Sequence, residues 1–143
     1  MEKDITTDEL LARLFKATQL KDVLENEDIT QPPLFDEYLR QLCRGKGEIA
    51  EHVIKRAGID RTYGHQLFSG RRKPSRDKVI QLAFGFGLNV EEAQKLLKAA
   101  RHTALYPKIK RDAAIIYCLA RNMEIAGAQD LLADCDLSAL GIE

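Results

Sequence analysis

The side chains best suited to chemistry gather in one short stretch, "AGIDRTYGHQLFSGRRKPSRD", residues 57–77. This stretch holds five lysine or arginine side chains, a tyrosine and a histidine around the apolar pair Leu67 and Phe68. Cations at this density bind anions by neutralising charge, and phosphate groups are the anions that such clusters typically meet. The chemistry to expect is therefore the binding of a polyanion.

The distribution of charge along the chain supports this interpretation. The whole sequence is balanced, with 22 basic and 22 acidic residues. Residues 40–78, however, carry 11 basic and four acidic side chains, a net charge of +7, whereas residues 1–39 carry four and ten, a net charge of −6. A basic centre beside an acidic leader is typical of a protein with a polyanionic partner. The alternative is a solvated helical surface on which basic residues cluster by chance.

The sequence offers little for other chemistries. The three cysteines lie far apart, and no C-x-x-C or histidine pair has the spacing of metal ligands. No Ser/His/Asp set or paired carboxylates stand out, so we expect no enzyme activity, no metal and no cofactor. No apolar run approaches 18 residues, and the polar start "MEKDITTDEL" is unlike a secretory signal. We therefore expect no membrane span and a cytoplasmic protein with reduced cysteines.

The periodicity of apolar residues predicts an all-α fold of eight or nine short helices, and strand alternation is absent. Thr6 and Glu9 have capping-box spacing, while Asp60, Ser75 and Asn89 are expected N-caps. No internal repeat is expected. The predicted helices lie at about residues 6–15, 20–26, 34–44, 48–56, 61–69, 76–87, 90–100, 108–121 and 124–134.

Between the fourth and fifth of these helices, Ala57-Gly58-Ile59-Asp60 has the pattern of a helix-turn-helix bend. The glycine permits a left-handed residue at the bend, and Ile59 supplies an apolar side chain to fill the gap beneath it. Residues 61–69 are then the second helix of the motif.

On these features the sequence resembles the Cro and lambda-repressor-like (XRE-type) helix-turn-helix regulators. The matching residues are "VIKRAGID" at 53–60, then Leu67, Gly70 and Pro74, and "VIQLAFGFGLNVEE" from residue 79. The resemblance spans residues 34–100, and the segment "DRTYGHQLFSGRRKPSRD" is also similar to a narrower group of bacterial regulators. It implies a five-helix DNA-binding domain that carries extra N-terminal and C-terminal helices here.

The resemblance also implies roles for individual side chains. In this family the second helix of the motif enters the major groove, where its first residues contact bases. Arginine suits guanine O6/N7 and glutamine suits adenine N6/N7. The positions implied to read bases are Arg61, Thr62, Tyr63, His65 and Gln66. The positions implied to contact phosphates are Lys46, Arg71, Arg72 and Lys73.

Four residues depart from the family pattern. Ile49 and Ala50 stand where a polar cap and a phosphate-binding glutamine are usual, and Gly64 replaces a β-branched residue at the centre of the reading helix. Phe68, the residue after Leu67, stands where the family commonly has an acidic side chain. We expect the ring of Tyr63 or Phe68 to fill the volume that Gly64 leaves. The alternative function is a degenerate helix-turn-helix that serves as a protein–protein interaction module.

The expected organisation is an acidic helical leader at 1–31, the DNA-binding domain at 32–103, and a C-terminal helical pair at 104–143 packed on the same core. Double-stranded DNA is the expected partner, bound by a homodimer across a two-fold axis. The outer segments 1–30 and 104–136 are candidates for the dimer surface or for a protein partner, and the leader is also a candidate to cover the basic face. The basic stretch "RHTALYPKIKRD" at 101–112 either extends the phosphate contacts or is simply a turn between helices.

Overall fold

A computed structural model describes residues 6–16, 19–21 and 34–141 of the chain. The chain divides into two compact units, Met1–Pro32 and Pro33–Glu143. The described residues form helices and no strands, which confirms the all-α fold class. None of these helices has the length and apolar character needed to cross a membrane. The helices are α1 Thr7–Lys16, α2 Phe35–Lys46, α3 Ala50–Arg56, α4 Arg61–Ser69, α5 Arg76–Phe86, α6 Val90–Ala99, α7 Lys110–Ala120 and α8 Ile125–Asp134.

The helix starts lie where the capping residues predict them. Asp60, Ser75 and Asn89 each accept a hydrogen bond from the backbone N–H three positions later, at 3.0, 3.3 and 2.8 Å. Thr6 and Glu9 exchange the two bonds of the predicted capping box, at 3.2 and 3.4 Å. These bonds satisfy amide groups that a helix start leaves free. The predicted helix at 20–26 lies largely outside the described residues.

The bend between α3 and α4 has the geometry that its sequence predicts. Gly58 adopts a left-handed conformation with φ of +69°, and the side chain of Ile59 is buried. Helix α3 packs against both α4 and α5, and Leu67 of α4 lies in the core. The bend thus holds α4 on the outside of the molecule with one face buried against α3.

The space beside Gly64 is filled by a different residue from those expected. A Cβ atom built on Gly64 would lie 2.7 and 2.9 Å from Cγ1 and Cδ1 of Ile54, a residue that is 2% exposed, and closer still to its Cγ2. All three of these atoms belong to Ile54 and none to Phe68, so an isoleucine of α3, and not the ring of Phe68, takes the volume that Gly64 leaves. Glycine is needed here because an isoleucine of α3 occupies the position that a side chain would take.

The expectation that the chain has no internal repeat is also wrong. Residues 76–106 and 111–141 are two copies of one helical hairpin, related by a shift of 35 positions. After its first helix each copy has a residue in the left-handed conformation, Gly87 in the first copy and Asn122 in the second. After the second helix the left-handed residue is Arg101 in the first copy and Asp136 in the second. The identical pairs are Arg76/Arg111, Asp77/Asp112, Ile80/Ile115, Ala93/Ala128, Gln94/Gln129, Leu96/Leu131, Leu97/Leu132, Ala104/Ala139 and Leu105/Leu140.

Two equivalent ion pairs join the hairpins where α5 and α7 begin. Arg76 donates to both carboxylate oxygens of Asp112 at 3.0 and 2.9 Å, and Arg111 donates to both oxygens of Asp77 at 2.8 and 2.9 Å. Each arginine of one copy binds the aspartate of the other, as across a two-fold axis. Bidentate pairs of this kind fix orientation as well as distance.

The carboxyl groups in these pairs are shifted toward the charged form. The hydrogen bond from Arg111 holds the pKa of Asp77 below its ordinary value. Burial acts to raise the pKa of Asp112, but hydrogen bonds from Arg76 and from the backbone N–H of Tyr106 outweigh it, so that pKa is lowered too. The two hairpins are therefore held together by ionised groups at neutral pH.

Candidate nucleic-acid interface

The exposed side chains of α4 lie on one face of the helix. Arg61, Thr62 and His65 are exposed, and Gln66 is partly exposed. Their spacing of one, four and five positions is that of neighbours on one helical surface. Tyr63 differs, because its side chain is half-buried. Four of the five side chains predicted to read bases thus share one solvent-facing surface.

Arg61 is held by an acidic residue that the sequence analysis did not single out. Its Nε donates to Oε1 of Glu51 at 2.6 Å, with the two side chains 75% and 52% exposed. The hydrogen bond from Arg61 lowers the pKa of Glu51. A solvated pair of this kind opens easily when a stronger partner approaches. Nothing local in the sequence marks Glu51, since the contact depends on how α3 crosses α4.

Gln66, Arg72 and Tyr63 form a second small network. Nε of Arg72 donates to Oε1 of Gln66 at 2.6 Å, and the Arg72 guanidinium lies 5.1 Å from the centre of the Tyr63 ring. The ammonium of Lys78 lies 5.7 Å from the same ring. Tyr63 therefore supports two cations by cation–π contact, instead of projecting from the surface as a base-reading side chain does.

The three cations after α4 form a compact turn, which we call the basic turn, residues 71–73. Arg71, Arg72 and Lys73 are all exposed, and within the described part of the chain none pairs with an acidic side chain. The backbone N–H groups of Arg71 and Arg72 donate to the carbonyl oxygen of Gln66 at 3.0 and 3.3 Å. These bonds fix the basic turn directly at the end of α4.

Lys46, the remaining predicted phosphate contact, is placed differently. Its Nζ lies 3.2 Å from a carboxylate oxygen of Glu92, so it joins the end of α2 to the start of α6. Ile49 is the N-cap residue of α3, makes no side-chain cap and is 56% exposed. The start of α3 therefore lacks a polar cap, as the sequence indicates.

A groove elsewhere in the described chain has a different lining. This groove, of about 600 Å³, lies where α3 and α5 end and α8 begins, and it is lined by Lys55, Arg56, Phe84–Gly87 and Asn122–Ala126. Arg56 is already bound, to the Gly85 carbonyl oxygen and to Glu48, each at 2.9 Å. Among the described residues no group of histidine, cysteine and acidic side chains has the arrangement of a metal site.

Comparison with known proteins adds no relative: no protein-family model, no curated protein and no solved structure matches the chain. The inference about function therefore depends on the geometry of α4 and the basic turn.

Proposed function

We propose that the protein is a sequence-specific DNA-binding transcription regulator that places α4, residues 61–69, in the major groove. One observation carries the proposal. The exposed polar face of α4 leads directly into three exposed cations that no described acidic group neutralises. A helix fits the major groove of B-DNA, and cations beside it meet the phosphates that border the groove.

Within this proposal the side chains have separate tasks. Arg61 leaves Glu51 and bonds guanine, while Thr62, His65 and Gln66 face neighbouring bases or sugars. The basic turn supplies affinity that depends on salt and not on sequence. Membership of the Cro and lambda-repressor-like family, which the sequence resembles, is part of the proposal. So is a homodimer that spans two half-sites about 34–36 Å apart.

The experiment that tests the proposal is selection from a library of random duplexes by the full-length protein at two salt concentrations. We expect a short motif, with retention that falls steeply as salt rises. Recovery of no motif, together with retention that does not depend on salt, would reject DNA reading.

Two substitutions then separate the proposed roles. Arg61→Ala should weaken binding to the selected site by about 1–3 kcal/mol and relax one base position. Lys73→Ala should weaken all duplexes alike and lower the salt slope by about 1. Arg121→Ala is the matched control, because Arg121 lies at the end of α7, packed over the ring of Tyr117. An equal effect of Arg61→Ala and Arg121→Ala would exclude a base contact by Arg61.

One observation favours the second candidate, a protein–protein interaction module. The start of α3 presents the apolar side chain of Ile49, 56% exposed, and the carboxylate of Glu51, which binds Arg61. An acid and an apolar group are poor neighbours for phosphates but suit a protein surface. This candidate predicts that the random selection fails. It also predicts that a photoreactive residue at position 49 crosslinks to a single protein in the source cells, whereas the same residue at position 121 does not.

A further inference from the structure

The loop that joins α6 to α7 lies directly against the chain that follows the basic turn. A ring nitrogen of His102, Nε2, lies 2.8 Å from the carbonyl oxygen of Pro74. Arg76 donates to the carbonyl oxygens of Thr103 and Ala104 at 3.0 and 3.1 Å. Residues 102–104 of the loop are therefore fixed beside residues 74–76, next to the basic turn. The loop and the first residue of α7 together make up residues 101–110.

This loop carries cations that the described fold leaves unpaired. Arg101, Lys108 and Lys110 are exposed, and none of them pairs with an acidic side chain among the described residues. No acidic residue occurs between positions 101 and 111. Tyr106 and Ile109, each 52% exposed, lie between these cations in sequence. Basic and aromatic side chains mixed in this way are common on surfaces that meet nucleic acid.

The second hairpin provides an internal comparison. Its equivalent loop makes the same hydrogen bonds through its backbone. Arg111 donates to the carbonyl oxygens of Ser138 and Ala139, as Arg76 does to those of Thr103 and Ala104. At the left-handed position, however, Arg101 with φ of 61° is replaced by Asp136 with φ of 57°. The fold therefore accepts either charge at this position. The copy that adjoins the basic turn carries the cation, so the arginine at position 101 calls for a reason other than folding.

We propose that the loop at residues 101–110 is a second phosphate-binding surface, which extends DNA contact from the basic turn to the duplex flanking the site read by α4. This inference rests on the proposed function and names additional contacts for it. Double-stranded DNA is the occupant because it presents phosphates about every 3.4 Å along each strand, so that neighbouring cations meet successive charges. The backbone bonds to Arg76 hold the loop in register with the basic turn.

The test compares two duplexes, one limited to the selected site and one with about ten further base pairs on each side. The variant is Lys108→Gln/Lys110→Gln in the full-length protein. We expect affinity for the long duplex to fall about tenfold at 0.1 M salt, and its salt slope to fall by about 2, because two phosphate contacts are lost. Affinity for the short duplex should stay unchanged. Both lysines are exposed and unpaired in the described structure, so thermal unfolding should not shift.

The control variant is Lys55→Gln/Arg121→Gln, which removes the same number of positive charges from two other places on the described structure. Lys55 lines the groove where α5 ends, and Arg121 follows the last residue of α7. This variant should bind both duplexes like the wild type, which excludes a general effect of net charge.

The possible failures are distinguishable. A wild type that retains neither duplex overturns the proposed function, and the inference with it. If the wild type binds but Lys108→Gln/Lys110→Gln binds the long duplex equally well, the inference alone is overturned, and an acidic protein becomes the better occupant of the loop. Equal losses on both duplexes, or equal losses with the control variant, also contradict a contact to flanking DNA.

Discussion

Gly64→Ala should destabilise the protein, although alanine is the better helix former. The new Cβ would meet three carbons of Ile54 at distances shorter than 3.0 Å, and Ile54 is buried in the core. Overpacking of this kind costs about 1–3 kcal/mol, whereas alanine regains about 1 kcal/mol of helix propensity. Because Ile54 has little room to shift, the cost should lie in the upper part of that range, and we expect the free energy of unfolding to fall by about 1–2 kcal/mol.

The assay is urea unfolding of the wild type, Gly64→Ala, Ile54→Ala and the double variant, followed by circular dichroism. Ile54→Ala alone should cost about 2–5 kcal/mol because it leaves a cavity. In the double variant the methyl group added at position 64 fills part of that cavity and meets no isoleucine. The double variant should therefore be more stable than the sum of the single effects by about 1–3 kcal/mol.

Gly45→Ala is the matched control, since Gly45 lies within α2 and a Cβ there would meet nothing within 4 Å. This substitution should stabilise the protein by about 0.5–1 kcal/mol. If Gly64→Ala stabilises the protein as much as Gly45→Ala does, or if the Gly64 and Ile54 effects simply add, then close packing is not the reason for the glycine. DNA selection by folded Gly64→Ala would show whether the glycine also serves the contact.

The remaining predictions concern the ion pairs and the leader. Asp112→Asn should lower the free energy of unfolding by about 2–3 kcal/mol at neutral pH, because it leaves Arg76 partly buried without its charged partner. Asp77 and Asp112 both have pKa values below the ordinary 3.8, so their stabilisation is complete above that value and is lost as the pH falls through the lower folded values. Urea unfolding between about pH 5 and pH 3 should therefore show a shallower loss of stability for Asp112→Asn than for the wild type, and parallel curves would contradict this. Deletion of residues 1–30 should raise non-specific DNA affinity at low salt if the acidic leader covers the basic face, and unchanged affinity of a folded truncation would exclude that role.

Much of the candidate site follows from local sequence. The bend at Gly58, the start of α4 at Arg61 and the basic turn all lie where the sequence predicts them. Capping bonds and left-handed glycines depend on residues within a few positions of each other, so sequence spacing is enough to place them. The hairpin repeat is less evident in the sequence, because most of its equivalent positions share only burial or backbone conformation. Gly87 and Asn122, for example, are different residues in the same left-handed position.

The sequence by itself determined the described helices, with ends within about two residues of those observed, and the concentration of basic residues around α4. Only the tertiary structure decided which of those residues are unpaired. Glu51 binds Arg61, Glu92 binds Lys46, and Ile54 fills the space beside Gly64. The physical reason is that each of these contacts joins different helices, so it depends on how the helices cross. Local propensities fix where a helix begins and ends, but the packing of one helix on another selects which side chains meet.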